Sequence, residues 1–135
     1  MTMKKIASAL VTVALLGSGV SACATRTPTG EPLSGEQIRT LISGNTVSGP
    51  IYARPYDFSY MPGGRVYGEI GADTGNGSWR ITDDGRYCHE WSNFFDATEA
   101  CYIWYDVGGG RYRMVNVDSY RRSDIEVWRI KPGLD

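Results

Sequence analysis

Ser78-Trp79-Arg80-Ile81-Thr82-Asp83-Asp84-Gly85-Arg86-Tyr87-Cys88-His89-Glu90-Trp91, followed ten residues later by Cys101-Tyr102-Ile103-Trp104, decides how this chain folds. Asp84-Gly85 is turn chemistry between two short runs, residues 78–82 and 86–91, rich in aromatic residues. Such runs joined by an Asp-Gly turn read as a β-hairpin. The stretch also holds three of the four tryptophans and two of the three cysteines. It predicts a β core built around Trp79, Trp91 and Trp104, stapled by a Cys88–Cys101 disulfide.

The same punctuation continues on both sides. Residues 51–60 place Tyr52, Tyr56, Phe58 and Tyr60 at even spacing, with Pro55 marking an edge strand or a bulge. Met61-Pro-Gly-Gly64 is a turn into residues 65–70, and residues 71–77 read as a polar loop. After the central hairpin, residues 92–100 form a loop carrying Phe94 and Phe95. Strands follow at residues 101–107, 111–117 and 124–130, with Gly108-Gly109-Gly110 as a turn between the first two. About seven short strands with turns every eight to twelve residues predict a mainly β domain, a small antiparallel barrel or sandwich.

One helix precedes them. Ser34 with Gln37 three residues later has capping-box spacing, and Leu33 can meet Ile38 as a hydrophobic staple. Ile38, Leu41 and Ile42 form one apolar face, and Gly44-Asn45 ends the run. Two turns of helix suit a plug on a sheet.

The N-terminus reads as a processing signal. Lys4 and Lys5 precede a mostly apolar run, residues 6–20, shorter than the roughly 20 residues a spanning helix needs. Val20-Ser21-Ala22-Cys23 resembles a bacterial lipobox, which implies cleavage before Cys23 and its lipidation. The expected organisation is a lipoprotein signal peptide at 1–22, a lipidated tether at 23–32 and a β domain at 33–135. The tether is rich in Thr, Pro and Gly, which cannot bury enough surface to order itself. Without Asp at position 24, which would resemble an inner-membrane retention signal, the outer membrane facing the periplasm is the expected location. Several acyl chains make such an anchor effectively permanent.

Charge and cysteine count agree with export. Removing the signal takes Lys4 and Lys5 with it, and the formal charge moves from −1 to −3. That argues against a nucleic-acid partner. With Cys23 lipidated, two cysteines remain, an even pair whose expected fate in an oxidising compartment is a disulfide.

Catalytic signals are thin. His89 is the single histidine, and its strand neighbours Cys88 and Glu90 point to the opposite face. A metal site would need further ligands, so His89 reads as structural on a half-exposed strand. Asp83 and Asp84 serve a turn, while Asp96 and Glu99 share the loop between the two cysteines without a defined separation. The clusters Gly63-Gly64, Gly75-Asn76-Gly77 and Gly108-Gly109-Gly110 read as hairpin turns; no Lys-Ser/Thr follows them to form a phosphate cradle. No cofactor or metal is expected.

Aromatic residues carry the functional signal: four Trp, nine Tyr and three Phe, all beyond Thr46. Tyr52, Tyr56, Phe58, Tyr60, Phe94 and Phe95 are the expected binding face if the fold exposes them.

Two resemblances bear on this. The order Leu33-Ser-Gly-Glu-Gln-Ile, Gly44-Asn45-Thr46, Gly77-Ser78-Trp79, Cys88-His89-Glu90-Trp91 and Cys101-Tyr102 resembles a group of small exported proteobacterial domains of unknown function. It implies the same frame and the same cysteine pair. More faintly, Gly109-Gly110-Arg111-Tyr112 is similar to the inhibitory loop of lipoprotein inhibitors of c-type lysozyme, without its serine. The expected function is therefore a non-enzymatic envelope lipoprotein binding an envelope protein or cell-wall component. The alternative is an inhibitor of lysozyme or a similar cell-wall hydrolase.

Overall fold

Each of the first seven strands of this chain pairs with the next one in sequence and the ninth pairs with the first, so the topology is a meander that curls back on itself. The computed structural model describes residues 30–118 and 124–134. Cys23, the signal peptide and most of the expected tether lie outside the described residues. Helix α1 spans Gly35–Ile42. Strands follow as β1 (Asn45–Ile51), β2 (Arg54–Tyr60), β3 (Arg65–Ile70), β4 (Asp73–Ile81), β5 (Tyr87–Trp91), β6 (Ala100–Gly108), β7 (Arg111–Asn116), β8 (Ile125–Val127) and β9 (Arg129–Pro132). All nine belong to one antiparallel sheet in the order β8-β7-β6-β5-β4-β3-β2-β1-β9.

Closure comes from the last two strands, which are one strand interrupted at Trp128. β8 pairs with β7, while β9 pairs with β1 through Val47–Ile130 and its neighbours. The result is a nearly closed barrel. Where β8 passes the end of β1, no ladder pair forms among the described residues, because Pro50 has no N–H to give. The Tyr56 hydroxyl bridges that seam, donating to the Glu126 carbonyl at 2.7 Å.

The expected barrel-or-sandwich choice thus resolves to a barrel, with more strands than the seven read from sequence. β1 is the strand the sequence pattern hides, because Ser48-Gly49-Pro50 has the composition of a loop; Tyr52 and Ala53 then form the turn into β2 with φ of 49° and 61°. Gly75 and Gly77, turn residues by sequence pattern, lie within β4. A Cβ on Gly75 would come within 2.7 Å of the Phe94 ring, and one on Gly77 would strike the Glu90 carbonyl. These glycines admit neighbours rather than turning the chain.

One end of the barrel is stoppered by α1. The capping box forms as read, with Gln37 N–H donating to Ser34 Oγ at 3.1 Å and Ser34 N–H to Gln37 Oε1 at 2.8 Å. Ile38 and Ile42 are fully buried beneath the helix. Leu33 enters along β6, its N–H donating to the Trp104 carbonyl at 2.9 Å. The turns at 61–64, 82–86 and 109–110 share this stoppered end. The Tyr52-Ala53 turn, residues 71–72, residues 92–99 and the entry to β8 surround the other end, the mouth. Among the described residues no helix is long and apolar enough to cross a membrane.

Alternation sorts the central stretch onto two faces. Trp79, Tyr87, His89, Trp91, Tyr102 and Trp104 point inward and are at most 4 % exposed. Cys88 and Cys101 sit directly opposite each other on β5 and β6 and form the expected disulfide. It lies on the outer wall, so the tryptophans pack inside the barrel and not around it. Arg80 covers the bridge by a bidentate pair to Glu99, at 2.7 and 3.0 Å. Replacing both cysteines by serine is expected to cost about 3 kcal/mol in the chain-entropy model. Urea denaturation of the oxidised chain and the double variant measures it; equal midpoints would remove the staple's energetic role.

Candidate functional site

The barrel interior is filled by side chains. Val47, Tyr56, Phe58, Tyr60, Val66, Trp79, Trp91, Trp104 and Met114 are among the buried residues that occupy it. Through this apolar packing runs a short polar chain. The hydroxyls of Tyr60 and Tyr87 are 2.7 Å apart, and Tyr87 Oη lies 3.1 Å from His89 Nδ1. Burial raises the phenol pKa of Tyr56, Tyr60 and Tyr87 above the ordinary value; at Tyr60 the Tyr87 hydrogen bond offsets part of that rise. These groups are therefore neutral structural members of the core.

That placement corrects the expected binding face. Tyr56, Phe58 and Tyr60 are at most 1 % exposed. Their even spacing in β2 points them into the barrel, where aromatic burial stabilises most. His89, expected on a half-exposed strand, is buried, its ring 4.7 Å from Phe95 and 5.1 Å from Tyr102.

Tyr52, Phe94 and Phe95 do come together, at the mouth. They line a cleft of about 560 Å³ with Pro50, Ile51, Ala53, Arg54, Ile70, Asp73, Asn93, Asp96, Asp124, Ile125 and Glu126. Tyr52 stands 73 % exposed on the rim. Phe94 packs against Trp91 at 5.3 Å, and Phe95 against His89, so the floor is fastened to the core. The backbone there is strained. Phe95, Asp96 and Ala97 have φ of 53°, 60° and 52°, three consecutive left-handed residues without a glycine. Such geometry persists where surrounding contacts over-determine it, and it concentrates at functional sites.

The charged groups divide cleanly. Arg54 donates to the Ile70 carbonyl and to Asp73, both at 2.7 Å. The Glu126 carboxylate turns to the outer wall, 3.6 Å from Arg113 and 2.9 Å from the Trp128 indole nitrogen. Asp124 Oδ1 accepts from the Asn116 N–H at 3.1 Å. Asp96 is exposed, and its carboxylate makes no hydrogen bond or ion pair among the described residues. Glu99, which shares its loop, lies on the outer wall, where the Arg80 guanidinium holds its carboxyl below the usual range. The structure therefore separates the two acids that the sequence left as a possible pair. Asp83 and Asp84 sit in the exposed β4–β5 turn, Asp84 accepting from the Thr82 hydroxyl.

The donor atoms of Cys88, Cys101 and Glu99 lie within 4.8 Å of one another, but both sulfurs are spent in the disulfide. The mouth residues missed in the sequence include Pro50, Ile51, Arg54, Asp73, Asn93 and Asp124. They come from four separate segments, and no spacing rule links them before the barrel closes.

Comparison of the chain with family models, curated proteins and solved structures finds no match.

Proposed function

We propose that this protein is a non-enzymatic lipoprotein of the cell envelope, anchored at Cys23, that binds another envelope component through the mouth of its barrel. The mouth cleft carries the reading: an exposed tyrosine and two anchored phenylalanines around a strained loop, at the one end not stoppered by α1. Largely pre-formed concave sites with aromatic lining and a few polar groups are the usual form of a binding site, and barrel mouths are a frequent place for them.

A non-catalytic role is supported by the separation of the reactive side chains. His89 is inside the barrel, Asp96 at the mouth, and Glu99 on the outer wall in a salt bridge. The route of the chain supports the orientation. It enters beside β6 at the stoppered end, where Gly30 lies near Asp106. A lipid on Cys23 attaches the chain at that end and leaves the mouth at the end away from the attachment.

Site-specific photo-crosslinking in cells tests this. A photoreactive residue at Tyr52 is expected to trap a discrete adduct, and one at Arg111, at the far end, is expected to trap none. Equal labelling from both positions, or none from Tyr52, would overturn the assignment of the mouth.

A further inference from the structure

The cleft's charges say what kind of group it takes, given the proposal that the mouth is the binding site. Among its described residues Arg54 is the one cation, and its guanidinium is already engaged by Asp73 and the Ile70 carbonyl. An anionic ligand would have to share that guanidinium with the Asp73 carboxylate. The Asp96 carboxylate, by contrast, is exposed and uncommitted, and the strained loop holds it at the cleft. Asp is one of the residues that tolerate left-handed backbone, whereas Phe95 and Ala97 on either side do not. The loop therefore accepts strain at its two flanks while presenting Asp96 outward. Phe94 and Phe95 supply an apolar floor, and Tyr52 an aromatic wall.

We propose that this cleft binds an alkylammonium group, a primary amine on an apolar stem, with the amine on Asp96 and the stem along Phe94, Phe95 and Tyr52. A carboxylate supplies a charge-assisted hydrogen bond, and aromatic faces attract the cation further. Both a free diamine and a lysine side chain of a peptide carry this group.

The test is an NMR titration of the full chain in detergent micelles with three probes: cadaverine, N-acetyl-lysine amide and the neutral pentanediol. Cadaverine is expected to bind saturably, shifting the amides of Ala53 and Asp96, and to bind about tenfold more tightly than pentanediol. Asp96→Asn keeps the left-handed backbone and removes the charge; it is expected to weaken cadaverine by about tenfold. Binding should also weaken with added salt. Binding of the lysine amide as well as cadaverine assigns a peptide source, and cadaverine alone a free diamine. Equal binding of amine and diol, or an unchanged affinity in Asp96→Asn, would overturn the proposal. If amine binding fails while the Tyr52 crosslink persists, the ligand class falls and the mouth stands. Loss of both removes the mouth as well.

Discussion

Trp91→Ala is expected to lower the stability of the fold by about 3–5 kcal/mol, the range of a large aromatic truncation in a packed core. The reason lies in the partner it has two strands away. Trp91 on β5 is 1 % exposed, and its ring lies over Gly68 of β3, where an added Cβ would come within 2.6 Å of the indole and 2.7 Å of Phe58. The indole fills the space that glycine leaves, and its removal opens a void against bare backbone. Phe58 at 4.6 Å and Phe94 at 5.3 Å lose a packing surface at once. Phe94 is part of the floor of the mouth cleft, so the loss reaches the binding site.

Two companion variants separate volume from polarity. The Trp91 indole N–H is buried with no acceptor among the described residues. Trp91→Phe therefore breaks no hydrogen bond, and its cost is expected to stay near 1–2 kcal/mol. Gly68→Ala in the native background overpacks the site and is expected to cost about 1–3 kcal/mol. In the Trp91→Ala background the clash with the indole is gone and Phe58 has room to move aside, so the cost should shrink, a coupling that a double-mutant cycle reads directly. Equilibrium urea unfolding of the four chains measures all of it. Additive costs would mean that the interior collapses around the missing indole.

This pair also shows what the sequence could and could not disclose. Trp91, Tyr87 and His89 on one side of Cys88 are legible as a face, because period two leaves no other arrangement within a strand. So are the capping box of α1, the Asp84-Gly85 turn and the disulfide. Gly68, Gly75 and Gly77 are not legible. A glycine between β-formers signals a turn as readily as a close approach, and its neighbour on another strand decides which. β1 was lost for a similar reason, since Gly49-Pro50 reads as a break until the barrel places Pro50 at an unpaired seam. Tyr56, Phe58 and Tyr60 carried the right periodicity and the wrong side: alternation defines a face, and only closure of the sheet makes that face the inside. The mouth depends on the same closure, for its residues come from four separate segments between Pro50 and Glu126.

The buried tyrosines lead to a second large effect, an alkaline limit on the fold. Tyr56, Tyr60 and Tyr87 are each at most 1 % exposed. Burial lifts their phenol pKa values above the ordinary 10.0. In the unfolded chain these phenols lose their protons from about pH 10 upward, while the folded chain keeps them. The unfolded state then binds fewer protons, so stability falls as pH rises. Below that point the contribution is constant. Above it each buried phenol costs about 1.4 kcal/mol per pH unit, and the three together about 4 kcal/mol per unit. A domain of ordinary stability, about 5–15 kcal/mol, would unfold within a few pH units of that threshold. Tyrosinate absorbance followed with circular dichroism should show these phenols ionising together with the loss of the fold. Ionisation of all nine tyrosines with the fold intact would mean that the interior admits hydroxide. Tyr60→Phe sharpens the test. It removes one titrating phenol, so the slope should fall by about a third, and it takes away the 2.7 Å partner of the Tyr87 hydroxyl. Tyr87 still reaches His89, whose ring lies against Phe95. The same polar chain that sets the alkaline limit thus ends beneath the strained loop, so unfolding through the tyrosines takes the floor of the cleft with it.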